Sequence, residues 1–132
     1  MSVQAGDEIP PWVMESVSAE RMKTMAAILR DPNPIHWDRA AVDALPLQLG
    51  QRTINQGPLG LSYMLNMLHS WMGPDCIQRI KMTFPRVVLD AERVTARGVV
   101  VSVEQEVAHC EVWLENDQGE RLLQGQANIA LR

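Results

Sequence analysis

Gly57-Pro58-Leu59-Gly60-Leu61-Ser62-Tyr63-Met64-Leu65-Asn66-Met67-Leu68-His69-Ser70-Trp71-Met72-Gly73-Pro74 is the stretch whose reading decides the fold. Both of its ends carry helix punctuation: Pro58 suits a first turn, where a backbone N–H has no intrahelical use, and Gly73-Pro74 stops the run. Between them, Leu59, Leu61, Tyr63, Met64, Leu65, Met67, Leu68, Trp71 and Met72 cover nearly the whole circumference. That pattern is expected of a helix enclosed on most sides. Ser62, Asn66 and His69 interrupt the run, which is too short for a bilayer span, so it predicts a buried helix and no membrane association.

The chain that follows supplies the enclosure. Residues 78–84, 92–103, 105–115 and 120–131 are rich in Val, Ile, Leu and Thr with stretches of alternation, and are predicted as four strands. Asn116-Asp117-Gln118-Gly119 is a hairpin turn between the last two, and Gly98 marks a bulge or bend in the long second strand. Upstream, Ser18 caps a predicted helix over 19–30, with Glu20 at its positive end and Met22, Met25, Ala26 and Leu29 on one face. Pro32 and Pro34 end that helix and stiffen the loop after it. Asp38 caps a second short helix that stops near Pro46. Helices first and an antiparallel sheet afterwards make an α+β fold, and with no repeat or linker in 132 residues, one domain over 1–132 is expected. A long apolar helix wrapped by such a sheet is the hot-dog arrangement.

Composition removes several classes of function. The net charge is −4 and the twelve Lys and Arg are scattered, so no basic stripe can follow a phosphate backbone and nucleic acid is not an expected partner. Cys76 and Cys110 are too few for a disulfide scaffold and lack zinc-ribbon spacing. The acidic N-terminus does not read as a signal peptide, and together with the two cysteines this fits a reducing cytoplasm. Methionines concentrated in the central helix, Met64, Met67 and Met72, read as core filler or as the adaptable wall of a lipophilic tunnel.

The chemistry concentrates in Asp31-Pro32-Asn33-Pro34-Ile35-His36. A carboxylate and an imidazole five residues apart on a stiff loop can grip one water and move its proton, an effect worth roughly 10²–10⁴-fold in rate. Asn33 between them braces the turn with its amide. The structural alternative is a capping Asp and a surface His about a Pro-rich turn. His69 and His109 read as packed or partly exposed side chains, and no second histidine stands at helical spacing from His36 to complete a metal site.

Asp31, Asn33, Pro34, Ile35 and His36 fit every specified position of the signature of MaoC-like dehydratases and (R)-specific enoyl-CoA hydratases: Asp, any residue, Asn, Pro, an aliphatic residue, His. The likeness continues through Gly57-Pro58-Leu59-Gly60-Leu61-Ser62, which is similar to the family's glycine-led start of the central helix. It extends more loosely to the strand ending at Phe84 and the C-terminal hairpin. Departures flank the motif: Leu29-Arg30 stand where a small residue and a glycine are usual, Gln56 stands where His is common, and Val87-Val88 and Ala91-Glu92 replace Pro-Val and Gly-Asp pairs.

The resemblance implies a hot-dog hydratase/dehydratase that adds water to a trans-2-enoyl-CoA or removes it from an (R)-3-hydroxyacyl-CoA, in fatty-acid, polyketide or sterol side-chain metabolism. Asp31 and His36 would be its catalytic pair. Gly57 would supply an oxyanion donor at the helix N-terminus, and Ser62 and Asn33 would contact substrate. Neither metal nor cofactor is called for. The implied partners are an acyl-CoA or acyl-carrier-protein thioester and a second subunit, either a copy of this chain or a related hot-dog chain. Two other readings stand beside it: a partner-dependent or non-catalytic subunit, and a thioesterase. The last is disfavoured because thioesterases of this fold commonly carry a carboxylate in or beside the central helix, and residues 57–73 contain none.

Overall fold

The computed structural model describes residues 2–30, 33–46 and 52–131. Its elements run β1 (Glu8–Met14), α1 (Ala19–Leu29), α2 (Arg39–Asp43), α3 (Gly57–Met72), β2 (Ile77–Thr83), β3 (Val94–Glu104), β4 (Val107–Asn116) and β5 (Arg121–Ala130), with one 3-10 turn at Pro34–His36. The five strands form one antiparallel sheet in the order β1-β3-β4-β5-β2. The fold is α+β and of the hot-dog kind, with α3 lying in the curve of the sheet and touching every strand.

α3 begins and ends where its sequence signals stand, with Pro58 in the first turn and Gly73 as C-cap, φ 96°. Leu59, Gly60, Tyr63, Met64, Met67 and Leu68 form its buried stripe, and the core extends to Ala96, Val112, Leu114, Leu123 and Ile129 of the sheet. Full burial of one Leu or Met contributes roughly 1.5–3 kcal/mol. The enclosure is one-sided, contrary to the sequence expectation. Pro58, Asn66 and Ser70 are exposed and Leu61 and Leu65 are half-buried, because the sheet curls about one face of the helix only.

The strand that sequence patterning did not identify is β1, which pairs with β3 at the edge of the sheet. Its Pro10-Pro11 falls in the register shift between Ile9 and Trp12, the place where a strand tolerates residues without an N–H. Trp12 stacks on Tyr63 of α3 with ring centroids 5.8 Å apart. Gly98 is not a bulge in β3: it pairs regularly with Val112 and with Ile9, and a side chain there would stand 2.7 Å from the Ile9 Cδ1 atom, so the glycine makes room for a core contact. The strand expected to begin at Gln105 begins at Val107. Gln105 and Glu106 form the β3–β4 turn, both with positive φ (51° and 65°).

The upstream helices are capped as their sequences indicate. Ser18 accepts from the Arg21 N–H at 3.2 Å and Asp38 from the Ala40 N–H at 3.0 Å. α1 closes at Arg30, whose φ of 53° is left-handed.

A short antiparallel stitch joins the approach to α3 with the segment after β2. The Asn55 N–H donates to the Val88 carbonyl at 2.6 Å and the Asp90 N–H to the Thr53 carbonyl at 2.9 Å. Asp90, only 3% exposed, anchors it: its Oδ2 accepts from the Thr53 N–H (2.9 Å) and hydroxyl (2.6 Å) and pairs with the Arg39 guanidinium of α2 at 3.0 Å. Arg52 donates twice to the Asp90 carbonyl, at 3.1 and 2.7 Å. Burial alone would push the Asp90 carboxyl up, but the Thr53 hydrogen bonds, helped by Arg39 and Arg52, outweigh it and hold the pKa below the ordinary value.

Two predictions follow from this architecture. A methyl group on Gly125 of β5 would overlap the Lys81 backbone carbonyl of β2, which cannot turn aside. Gly125→Ala should therefore cost about 3 kcal/mol, read by chemical denaturation. A lowered native pKa at Asp90 means that the unfolded chain takes up the proton first as pH falls. The stabilisation is then full above the unfolded carboxyl's pKa, about 3.9, and is lost as pH drops through the native value. Asp90→Asn should lose about 2 kcal/mol at pH 7 and show a shallower acid-side decline in urea denaturation between pH 7 and pH 3.

Candidate functional site

Asp31 and Pro32 of the motif lie outside the described residues, so the structure locates the remainder of it. Asn33 caps the 3-10 turn, its side-chain oxygen accepting the Ile35 N–H at 3.3 Å, which engages that amide in shaping the loop. His36 closes the turn at 9% exposure, with its Nδ1 2.6 Å from the Ile54 carbonyl oxygen. A carbonyl only accepts, so Nδ1 carries a proton and donates it. The Ile54 N–H in turn donates to the Ile35 carbonyl at 2.8 Å. Loop and α3 approach are thus joined by bonds in both directions. The imidazole is held in one orientation, with Nδ1 as a donor.

His36 opens on a cavity of about 650 Å³, whose walls include Glu20 and Lys23 of α1, Trp37, Arg39 and Thr53. A second cavity of about 270 Å³ lies at the α3 N-terminus, with Asn55, Gly57, Gly60, Phe84, Val88 and Leu123 among its walls. The peptide from Thr53 to Gly57 runs between them, with Thr53 facing the first and Ile54 to Gly57 the second.

The other residues singled out from sequence divide by what they touch. Gly57 is the first residue of α3, where N–H groups have no intrahelical acceptor and the helix dipole is positive. Here the space that a side chain would fill is taken by Phe84, whose Cε2 atom would stand 3.2 Å from an added Cβ. Phe84 is 51% exposed, and its ring covers the spot where sequence reasoning expected close approach of a thioester. The Ser62 hydroxyl donates to the Leu59 carbonyl at 2.5 Å, within its own helix. His109 lies on β4 with Nδ1 2.9 Å from the Asn128 side-chain oxygen, on the sheet face away from α3.

Sequence reasoning missed three polar residues around this site. Asp90 and Thr53 were legible only as polar interruptions in apolar surroundings, a weak sign that each finds a buried partner. The third is Asn55, 6% exposed, with neither Nδ2 nor Oδ1 hydrogen-bonded among the described residues. Each such group left unsatisfied costs about 1–3 kcal/mol. Next to it, Gln56 at 1% exposure donates Nε2 to the Met22 carbonyl at 2.7 Å, tying α1 to the start of α3, while its Oε1 has no partner. The Tyr63 hydroxyl is also buried without a hydrogen bond of acceptable geometry. Burial pushes that phenol's pKa up, partly opposed by Arg21 and the nearby Asn55 carboxamide.

Among the described residues, no helix is long and apolar enough to cross a membrane. No curated protein sequence matches the chain. Solved structures share its fold at low identity. The (R)-hydratase from A. caviae involved in PHA biosynthesis superposes with a TM-score of 0.86 at 22% identity, over 99% of this chain and 98% of that one. R-hydratase PhaJ1 from Pseudomonas aeruginosa gives 0.85 at 18%, over 98% and 82%. The ChsH1-ChsH2 complex from Mycobacterium tuberculosis gives 0.82 at 20%, with 100% of both chains covered. The family model of the MaoC like domain matches residues 6–117, a span that contains the His36 turn, the stitch anchored by Asp90 and all of α3. On that match the chain belongs to the MaoC-like hydratase/dehydratase family.

Proposed function

We propose that this chain hydrates trans-2-enoyl thioesters, and in reverse dehydrates (R)-3-hydroxyacyl thioesters, with Asp31 and His36 as the proton-transfer pair. The observation that carries the reading is the His36 ring, buried in a proline-stiffened turn and fixed in orientation through Nδ1 to the Ile54 carbonyl. In the forward direction water held by Asp31 and His36 adds its oxygen to C3 and surrenders a proton to the pair. The C2–C3 π electrons move toward the thioester oxygen, and C2 then takes up a proton to complete the addition. The enolate oxygen formed on the way is stabilised by first-turn N–H donors of α3, Gly57 foremost. Access to Gly57 requires the half-exposed Phe84 ring to swing away. Ser62 and Asn33 act from behind the substrate through the backbone they brace, as their hydrogen bonds at 2.5 and 3.3 Å indicate.

A second subunit belongs to this reading. β1 and β2 are the outer strands of the sheet, and Leu61 and Leu65 leave part of α3 uncovered. A copy of this chain would cover them; so would a related hot-dog chain, an arrangement favoured by the likeness to a chain of the ChsH1-ChsH2 complex. In that second case activity depends on the partner. The acyl carrier is CoA or a carrier protein, and the setting is the cytoplasm.

Purified protein, alone or with its genomic neighbour, is expected to hydrate crotonyl-CoA or a longer enoyl-CoA, read as loss of the conjugated-thioester absorbance. Asp31→Asn and His36→Ala should each lower kcat by roughly 10²–10⁴-fold with a cooperative thermal transition retained, shifted downward in His36→Ala by loss of the bond to the Ile54 carbonyl. Full activity in both variants overturns the assignment of the pair. Release of free thiol at a comparable rate would make the chain a thioesterase instead.

A further inference from the structure

The cavity onto which His36 opens takes its walls from three stretches of chain: Ala19, Glu20 and Lys23 at the start of α1, residues 37–40 leading into α2, and Thr53 on the approach to α3. They are separate in sequence, so their spacing must be set by something they share. Each is tied to the turn at residues 90–92. Val17, just before the α1 cap, donates to the Glu92 carbonyl and accepts from the Ala91 N–H, both at 2.8 Å. Arg39, the first residue of α2, meets Asp90 Oδ2 at 3.0 Å, and Thr53 donates to the same oxygen from its N–H at 2.9 Å and its hydroxyl at 2.6 Å. From Thr53 the imidazole is one residue away. The Ile54 carbonyl accepts from His36 Nδ1 at 2.6 Å, and the Ile54 N–H holds the Ile35 carbonyl at 2.8 Å.

The carboxylate is the part of this junction that carries a charge. One oxygen gathers three donors from two of the walls, and hydrogen bonds to an ionised acceptor are roughly twice as strong as those to a neutral one. The backbone bonds of the turn do not depend on it: the Asp90 N–H still donates to the Thr53 carbonyl at 2.9 Å, and Arg52 still donates to the Asp90 carbonyl at 3.1 and 2.7 Å. Removing the charge therefore loosens the spacing of the walls without dismantling the turn. At 3% exposure Asp90 lies behind Thr53, outside the lining of the cavity. Whatever it does for a reaction there it does through its neighbours.

We propose that Asp90 is a positioning residue for the proton-transfer site: by drawing Arg39 and Thr53 to one point it fixes the aim of the His36 imidazole at the substrate. The inference rests on the hydratase reading above and adds a residue to its machinery. Misplacing a reacting group by about 1 Å costs on the order of a hundredfold in rate. The effect falls on turnover, because substrate contacts are left intact.

The test joins kinetics to proton NMR, on the full chain, with its partner subunit if it purifies with one, at a temperature where every variant is folded. Crotonyl-CoA or a longer enoyl-CoA is the substrate. The His36 Nδ1 proton, which a 2.6 Å bond moves downfield and protects from exchange, is assigned by its absence in His36→Gln. Asp90→Asn should lower kcat roughly tenfold to a hundredfold, leave KM within about twofold, and broaden that resonance by exchange. Thr53→Val keeps the side-chain shape and loses the hydroxyl, so it should show a smaller fall of the same kind, and Thr53→Ser should restore kcat. Adding Thr53→Val to Asp90→Asn should change kcat little further, since the two residues act through one bond. Leu114→Ala in the core of β4 destabilises without touching the junction and should keep both kcat and the resonance. Retained kcat or an unaltered resonance in Asp90→Asn overturns the proposal. So does a change confined to KM, which makes the effect one of substrate binding, an equal fall in Leu114→Ala, which makes it one of general stability, or a Thr53→Ser as impaired as Thr53→Val. If the parent protein hydrates no enoyl-CoA, the hydratase reading fails by itself, and the resonance in Asp90→Asn still decides whether Asp90 holds the imidazole. Hydration that Asp90→Asn leaves untouched strikes the positioning role alone.

Discussion

Everything in this molecule depends on removing one face of α3 from water. Tyr63, Met64, Met67 and Leu68 are at most 1% exposed, and no single element of the chain could cover them. The sheet curls to do so, and α3 touches all five strands as a result. That enclosure sets the direction of the helix and therefore the place where its N-terminus emerges. The chain must arrive there through residues 52–56 and return past it through 84–92, so the two cavities and the His36 turn are arranged around the start of α3 as a consequence of burying its middle.

Polar bonds then convert that coarse placement into a fine one. Hydrophobic burial is non-directional and would allow the approach segment to slide. The exchanges Ile54 with Ile35 and His36, Asn55 with Val88, and Thr53 with Asp90 do not. Asp90 also reaches Arg39, the first residue of α2, so the loop carrying His36 is anchored on its far side by the same carboxylate that anchors the approach to α3. The imidazole is thereby held between two segments that share one electrostatic support, with Asp90 kept ionised by the donors around it.

What could be read from sequence is what local chemistry specifies. Ser18, Asp38, Gly57-Pro58 and Gly73 mark helix ends that the structure places within one residue of expectation, since a cap is decided by its neighbours along the chain. β1 was not legible because Pro10-Pro11 argues against a strand unless one knows that it lies at an edge and bulges there. The β3–β4 turn was displaced by two residues because Gln105 and Glu106 adopt positive φ without the Asn or Gly that announces it. Arg30 and Ala91 likewise sit at left-handed φ of 53° and 63° where this family more often has glycine nearby, which gives the departures at those places a backbone meaning. At the site, the His36 turn could be recognised from its motif. Asp90 and Asn55 could not, because their significance lies in what the folded chain buries beside them, Thr53 and Arg39 for the first and the Tyr63 hydroxyl for the second.

Asp90 and Asn55 are both buried polar residues in the same short stitch, and each ties it to a different part of the fold. Asp90 Oδ2 collects the Thr53 N–H, the Thr53 hydroxyl and the Arg39 guanidinium, so its burial is accounted for by the structure itself. Gln56 spends its amide nitrogen on holding α1. Asn55 contributes its backbone to the ladder, and its carboxamide lies beside the Tyr63 hydroxyl of α3, where it opposes the rise that burial imposes on the phenol's pKa. The approach segment is thus tied to the sheet side by its backbone and to the helix by its side chain.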